Sequence, residues 1–120
     1  MDIKNLEQIL RVSWSKESSY PKNQEGWSSD LPELGQCKVT ALIVQDYFGG
    51  DILFSERLNH YWNVLSDGRI IDFTASQFSE EEYNLEDGER VDIEQGSRTS
   101  EEIGVNTKKR YSVLKKLLKK

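Results

Sequence analysis

The stretch that decides the fold reads Gly35-Gln36-Cys37-Lys38-Val39-Thr40-Ala41-Leu42-Ile43-Val44-Gln45-Asp46-Tyr47-Phe48, followed by Gly49-Gly50. Its apolar residues, Val39, Ala41, Leu42, Ile43, Val44, Tyr47 and Phe48, point around nearly the whole circumference of a helix. A helix apolar on all sides belongs in the middle of a domain. The glycine pair ends it, where a left-handed cap costs least. On the N-terminal side, Ile3, Leu6, Ile9, Leu10 and Trp14 recur at nearly helical spacing and predict a short amphipathic helix. Between the two helices the composition turns polar from Ser15 to Gly35 and is broken by Pro21, Gly26, Pro32 and Gly35. This predicts an irregular segment of about 20 residues holding Tyr20 and Trp27, and long ordered loops in small domains are often functional.

On the C-terminal side, Asp51 to Ser55 predicts a short strand. A hairpin follows, with strands His60-Tyr61-Trp62-Asn63-Val64-Leu65 and Arg69-Ile70-Ile71-Asp72-Phe73-Thr74 around Ser66-Asp67-Gly68. The length of the turn decides which side chains share a face. A two-residue Asp67-Gly68 loop would put His60 and Asp72 on opposite faces. A three-residue loop, with Gly68 in the left-handed conformation, pairs Leu65 with Arg69, Trp62 with Asp72 and His60 with Thr74. His60 and Asp72 then become diagonal neighbours about 7 Å apart, within side-chain reach. Ser-Asp-Gly suits the three-residue loop, a type I turn closed by glycine. The same face carries Trp62, Val64 and Ile70 and is expected to pack on the central helix.

Beyond Thr74, Gln77-Phe78 and Tyr83 are expected anchors, with a helical turn near Ser79 to Tyr83 and an edge strand at Val91-Asp92-Ile93. Tyr111, Val113, Leu114, Leu117 and Leu118 predict a C-terminal helix with Asn106 as its N-cap. The expected fold is α+β: one domain over residues 1–120, in which an N-terminal helix and a buried central helix pack on a small antiparallel sheet, completed by the C-terminal helix.

Composition supports a folded chain. Of 120 residues 36% are hydrophobic and 31% charged, but three Trp, five Tyr and four Phe supply the large core residues that disordered chains lack. The longest aliphatic run, Ala41 to Val44, falls far short of the ~20 residues that span a bilayer. Met1 to Glu7 lacks the pattern of a signal peptide, so cytoplasmic residence is expected. With one cysteine, Cys37, and one histidine, His60, neither an internal disulfide nor a structural zinc site can be built, and no metal or cofactor is expected. The net charge of −5 is segregated: ten acids lie between Glu80 and Glu102, and seven bases with no acid between Lys108 and Lys120. Bases at a helix C-terminus oppose its dipole, and the acidic block beside them would repel phosphates. The two stretches are expected to pack together, with neither nucleic acid nor membrane as partner, in a monomer or homodimer.

One constellation can carry chemistry. Cys37 opens the central helix, where backbone N–H groups and a nearby imidazolium stabilise a thiolate. In acyl transfer Cys37 would attack a carbonyl, His60 would move the proton and Asp72 would orient the ring. The Cys37 N–H would supply one oxyanion donor and a glutamine amide, Gln36 or Gln24, the second. Trp62, Trp27 and Tyr61 would wall a groove for a small-molecule or peptide substrate. The bland alternatives stand beside this: a cysteine beginning an apolar helix also serves as a small buried hydrophobe, a strand histidine as a hydrogen-bonding group, and Asp72 as a partner for Arg69. A zinc ion held by Cys37, His60 and Asp72 is a third alternative.

Gly35-Gln36-Cys37-x-x-Thr40-Ala41-Leu42-x-Val44-Gln45-Asp46-x-x-Gly49-Gly50, His60-Tyr61-Trp62-Asn63, Asp67-Gly68 and Ile71-Asp72-x-Thr74-x-x-Gln77-Phe78 together resemble the bacterial YunG-like family of small proteins. The order of cysteine at a helix start, then histidine and aspartate on successive strands, is similar to that of papain-like and transglutaminase-like enzymes. That second resemblance implies a papain-like core, a Cys37, His60, Asp72 triad and thiol hydrolase or acyltransferase activity on an amide or thioester. A binding module of the same fold, with the three residues in a structural role, is the alternative. Papain-like proteases place their oxyanion glutamine several residues before the cysteine, whereas here Gln36 is adjacent and Gln24 lies further upstream, so the second donor stays open.

Overall fold

The computed structural model describes residues 2–79, 83, 86, 88–91 and 107–118. Helix α1 spans Ile3–Ser13 and is started by Asp2, whose carboxylate accepts from the Asn5 N–H at 2.8 Å. This satisfies one of the amides that a helix start leaves without an intrahelical acceptor. Its apolar stripe buries Leu6 and Leu10 completely, each contributing about 2 kcal/mol of transfer free energy. Helix α2 spans Cys37–Phe48 and buries every residue from Val39 to Val44, as a helix apolar on all sides requires. It ends at Gly49, whose N–H donates to the Gln45 carbonyl. Helix α3, Thr107–Leu118, packs against both others and buries Tyr111 and Leu114. The Asn106 cap lies outside the described residues.

Four antiparallel strands form the sheet: β1 (Asp51–Ser55), β2 (His60–Val64), β3 (Ile70–Ile71) and β4 (Glu89–Val91), in the order β3-β2-β1-β4. The chain is therefore an α+β protein built on a small antiparallel sheet. Strand β4 is the expected edge strand, placed two residues earlier than Val91 to Ile93; Asp92 and Ile93 lie outside the described residues. The Tyr83 N–H donates to the Ser79 carbonyl at 3.1 Å, and the helical turn expected near Ser79 to Tyr83 runs through residues 80–82, outside the described residues. Most of the acidic block, and with it the expected packing on the basic helix, also lies outside them; among the described residues Tyr111 and Lys115 of α3 reach the Asp46 carboxylate of α2. Among the described residues no helix is long and apolar enough to cross a membrane.

The hairpin register is the one expected. Asn63 pairs with Ile71 and Val64 with Ile70, Leu65 donates to the Arg69 carbonyl, and Gly68 closes the turn with φ +89°. The packing face differs. Leu65, Ile71 and Phe73 join Ile52 and the central helix in the core, and the buried Asn63 amide donates to the Ala41 carbonyl of α2 at 3.0 Å. Trp62 is buried but stands outside that core, and Ile70 is 58% exposed. Reading only apolar residues as core misassigned the face, because Asn63 is buried against the helix through its hydrogen bond, at little net cost. Strand β3 is also shorter than Arg69 to Thr74. Past Ile71 the chain leaves the ladder and curls into a 3₁₀ turn at Ala75–Gln77.

The segment from Ser15 to Gly35 wraps the start of α2 and contains a second 3₁₀ turn, Pro21–Gly26. Its closest approach is at Gly35. The Tyr20 N–H donates to the Gly35 carbonyl at 2.8 Å, and a Cβ on Gly35 would lie 2.4 Å from the Ser19 hydroxyl and 2.8 Å from the Tyr20 nitrogen. With φ at +72° as well, the position excludes side chains on two grounds. Gly35→Ala is therefore expected to cost about 2 kcal/mol or more, read as a lower melting temperature by circular dichroism; a variant that melts with the wild type would refute this account of the loop.

Candidate active site

His60 begins β2, preceded by Asn59 in the left-handed region at φ +50°. Its side chain is fully buried. The three-residue turn brings Asp72 beside it, and Nε2 meets Asp72 Oδ2 at 2.7 Å. The same carboxylate oxygen accepts from the Tyr83 hydroxyl at 2.6 Å, while Oδ1 faces the Thr74 hydroxyl at 3.5 Å. Three aromatic rings enclose the imidazole: Trp62 stacks at 5.9 Å between centroids, Phe78 lies edge-on at 4.8 Å and Tyr83 edge-on at 6.5 Å. Arg69 pairs with Asp67 at 2.8 Å, which leaves Asp72 to the histidine.

Cys37 is half-buried at the first turn of α2. It lies close enough to the His60 ring to contribute to the raised pKa of the imidazole. Nδ1 itself has no hydrogen-bond partner; in unliganded sites catalytic hydrogen bonds often form only around a substrate. Burial disfavours the charged imidazole, but the hydrogen bond to Asp72, then the hydrogen bond and charge of Cys37, outweigh it and raise its pKa from 6.5 to about 9. Tyr83 is held neutral well above its ordinary range, first by burial and then by its bond to the Asp72 carboxylate.

Cys37 opens onto a pocket of about 220 Å³. Tyr20 and Tyr61 form walls, Asn23, Asn59 and Gln77 are its uncharged polar groups, and Lys38 and Arg110 bring positive charge. The Arg110 guanidinium is buried, lies 5.6 Å from the Tyr20 ring centre and donates weakly to the Gly35 carbonyl at 3.5 Å.

The other expected site residues lie elsewhere. The Gln36 amide is fully buried, accepting from the Ser18 hydroxyl at 2.7 Å and donating to the Ser15 carbonyl at 2.9 Å. It ties the loop to the helix start through both ends of its amide. Gln24 donates to the Ser19 carbonyl and lines a separate depression with Lys16 and Lys109. The Trp27 indole donates to the Pro32 carbonyl, within its own loop. Trp62 supports the histidine, and Tyr61 is the aromatic that walls the pocket. Gln77, expected only as an anchor, lines the pocket with Cys37, and its place in Ile71-Asp72-x-Thr74-x-x-Gln77-Phe78 is the signal that could have marked it. Among the described residues no group of three or more His, Cys, Asp or Glu side chains is arranged to hold a metal ion. With Asp72 on Nε2, that ring nitrogen already points at a carboxylate, so the alternative of one zinc ion shared by Cys37, His60 and Asp72 has no support in this geometry.

These features define a small α+β protein with a thiol at a helix start that opens onto a pocket, and a buried imidazole bonded to a carboxylate. The chain matches the family described as YunG protein over residues 2–120, and it belongs to that family. It is 40% identical over 78 residues to "Uncharacterized protein YunG" of Bacillus subtilis (strain 168), an alignment that covers 63% of this chain and 63% of that protein. The aligned part thus spans less than two thirds of the relative's length. No solved structure matches the chain.

A raised imidazole pKa has a defined effect on stability. The folded protein binds the His60 proton more tightly than the unfolded chain, so this contribution is complete below pH 6.5 and is lost as pH rises through about 9. The melting temperature is expected to fall across that window. With one histidine in the chain, NMR titration of the imidazole reads the group without ambiguity: a midpoint near 9 is expected, moving down in Asp72→Asn, and a midpoint at or below 6.5 would contradict the geometry.

Proposed function

We propose that this protein is a cysteine-dependent hydrolase or acyltransferase that acts on an amide or thioester through Cys37, His60 and Asp72, in a single domain with a papain-like core. The observation that carries the reading is the buried His60 ring, bonded to Asp72 through Nε2 and acted on by Cys37. Asp72 accepts from the Nε2–H, and His60, its pKa raised to about 9, carries on Nδ1 the proton that the thiol gives up. Cys37 Sγ then forms a bond to the substrate carbonyl carbon, and His60 returns that proton to the departing amine or thiol as its bond to carbon breaks. Water or a second nucleophile, deprotonated by His60, releases the acyl group and restores the thiol. The substrate is a small molecule or peptide whose carbonyl reaches the pocket.

The aromatic enclosure of His60 supports a second reading, a non-catalytic binding module in which the three residues hold the structure. The two separate on the reactivity of the only cysteine. On the catalytic reading, iodoacetamide modifies Cys37 at neutral pH and His60→Ala slows the reaction at least about tenfold, followed by intact-protein mass spectrometry. An alkylation rate indifferent to His60→Ala, with a large loss of stability in that variant, sinks the catalytic reading in favour of the structural one.

A further inference from the structure

Two buried side-chain nitrogens near Cys37 have no hydrogen-bond partner: Nδ1 of His60 and Nε2 of Gln77. The first is the nitrogen left over when Nε2 bonds Asp72, and on the acyl-transfer reading it serves the thiol. The second is an amide donor withheld from water with nothing to donate to, an arrangement that costs about 1–3 kcal/mol unless some other state of the protein uses it. Gln77 lines the pocket into which Cys37 opens. We infer that the Gln77 side-chain amide is the second oxyanion donor of this site, reserved for the negative charge that develops on a substrate carbonyl attacked by Cys37.

Three observations fit Gln77 to this task. Its backbone is held on both sides: Ser76 donates to the buried Glu33 of the wrapping loop, Phe78 packs edge-on against His60, and the Gln77 N–H donates to the Thr74 carbonyl at 3.2 Å. A backbone held on both sides limits the reorganisation the side-chain amide needs when charge appears, which is where oxyanion stabilisation has its strength. The first donor is also in place. The N–H of Cys37 is among those that a helix start leaves without an intrahelical acceptor, and the Gln36 side chain does not cap it. Finally, the two glutamines between α1 and Cys37 are occupied, Gln36 with Ser15 and Ser18 and Gln24 with Ser19.

The inference rests on the acyl-transfer reading, and two reagents for the same sulfur separate them. Iodoacetamide alkylates a thiolate with no carbonyl oxyanion in the reaction. p-Nitrophenyl acetate instead acetylates Cys37 through a tetrahedral oxyanion: the sulfur–carbon bond forms, the carbon–oxygen bond to p-nitrophenolate breaks, and the thiol proton leaves by way of His60. Gln77→Met keeps the length of the side chain and removes the donor. It is expected to lower the p-nitrophenolate release rate by about 10–100-fold while leaving iodoacetamide alkylation within about twofold of wild type, in a protein whose melting curve shows it folded. Gln77→Ala should behave likewise. Acetylation unchanged, or acetylation and alkylation falling in proportion, overturns the role of Gln77 and leaves the Cys37–His60 reading standing. Wild-type alkylation that ignores His60→Ala overturns that reading, and the assignment of Gln77 with it.

Discussion

The structure around the site depends on one buried hydrogen bond, His60 Nε2 to Asp72 Oδ2. Neither group could remain polar under this degree of burial without the other, since an isolated buried charge costs several kcal/mol after relaxation. Each element nearby is arranged to keep the pair satisfied. The three-residue turn sets the register that makes the side chains meet, Tyr83 gives the carboxylate a second donor, and Trp62 and Phe78 exclude water from the ring. The pair also breaks the symmetry of the imidazole. With Nε2 committed to Asp72, Nδ1 is the nitrogen left for a different partner, which in the proposed mechanism is Cys37.

Much of this was legible in the residues. Val39 to Val44 could only be a buried helix, and Ser66-Asp67-Gly68 admitted a turn whose glycine sits at positive φ, from which the proximity of His60 and Asp72 followed. These features are local, and period and turn chemistry report local geometry well. The packing face of the hairpin was not legible, because the rule that apolar residues face the core has no place for Asn63, whose burial depends on a carbonyl of a helix twenty-two residues away. Nor was the fate of the glutamines. Adjacency to Cys37 made Gln36 look like part of the chemistry, yet its amide turns inward to Ser15 and Ser18. Gln77 follows a strand that ends early, and only the 3₁₀ turn at Ala75–Gln77 brings it to the pocket. Sequence distance gives no sign of either outcome.

The wrapping loop is a structural partner of the helix start more than a covering for it. Gly35 accepts from Tyr20, Gln36 is held by Ser15 and Ser18, and Glu33 receives Ser76 from the far side of the site. The groups on which the proposed chemistry relies thus come from three separated parts of the chain, with the loop linking two of them. Arg110 of α3 adds a third tie through the Gly35 carbonyl.

That linkage gives the site an opening free energy of its own. Helix α2 is buried through Val44 and should resist exchange as the most protected part of the fold, but its first residue is secured chiefly by main-chain and amide bonds from a segment with few core contacts. Local unfolding proceeds in cooperative units of unequal stability, and Ser15 to Gln36 has the makings of a weaker one. An opening of that unit would release the start of the helix while the core below stays intact, and full exposure of the half-buried cysteine would then precede global unfolding.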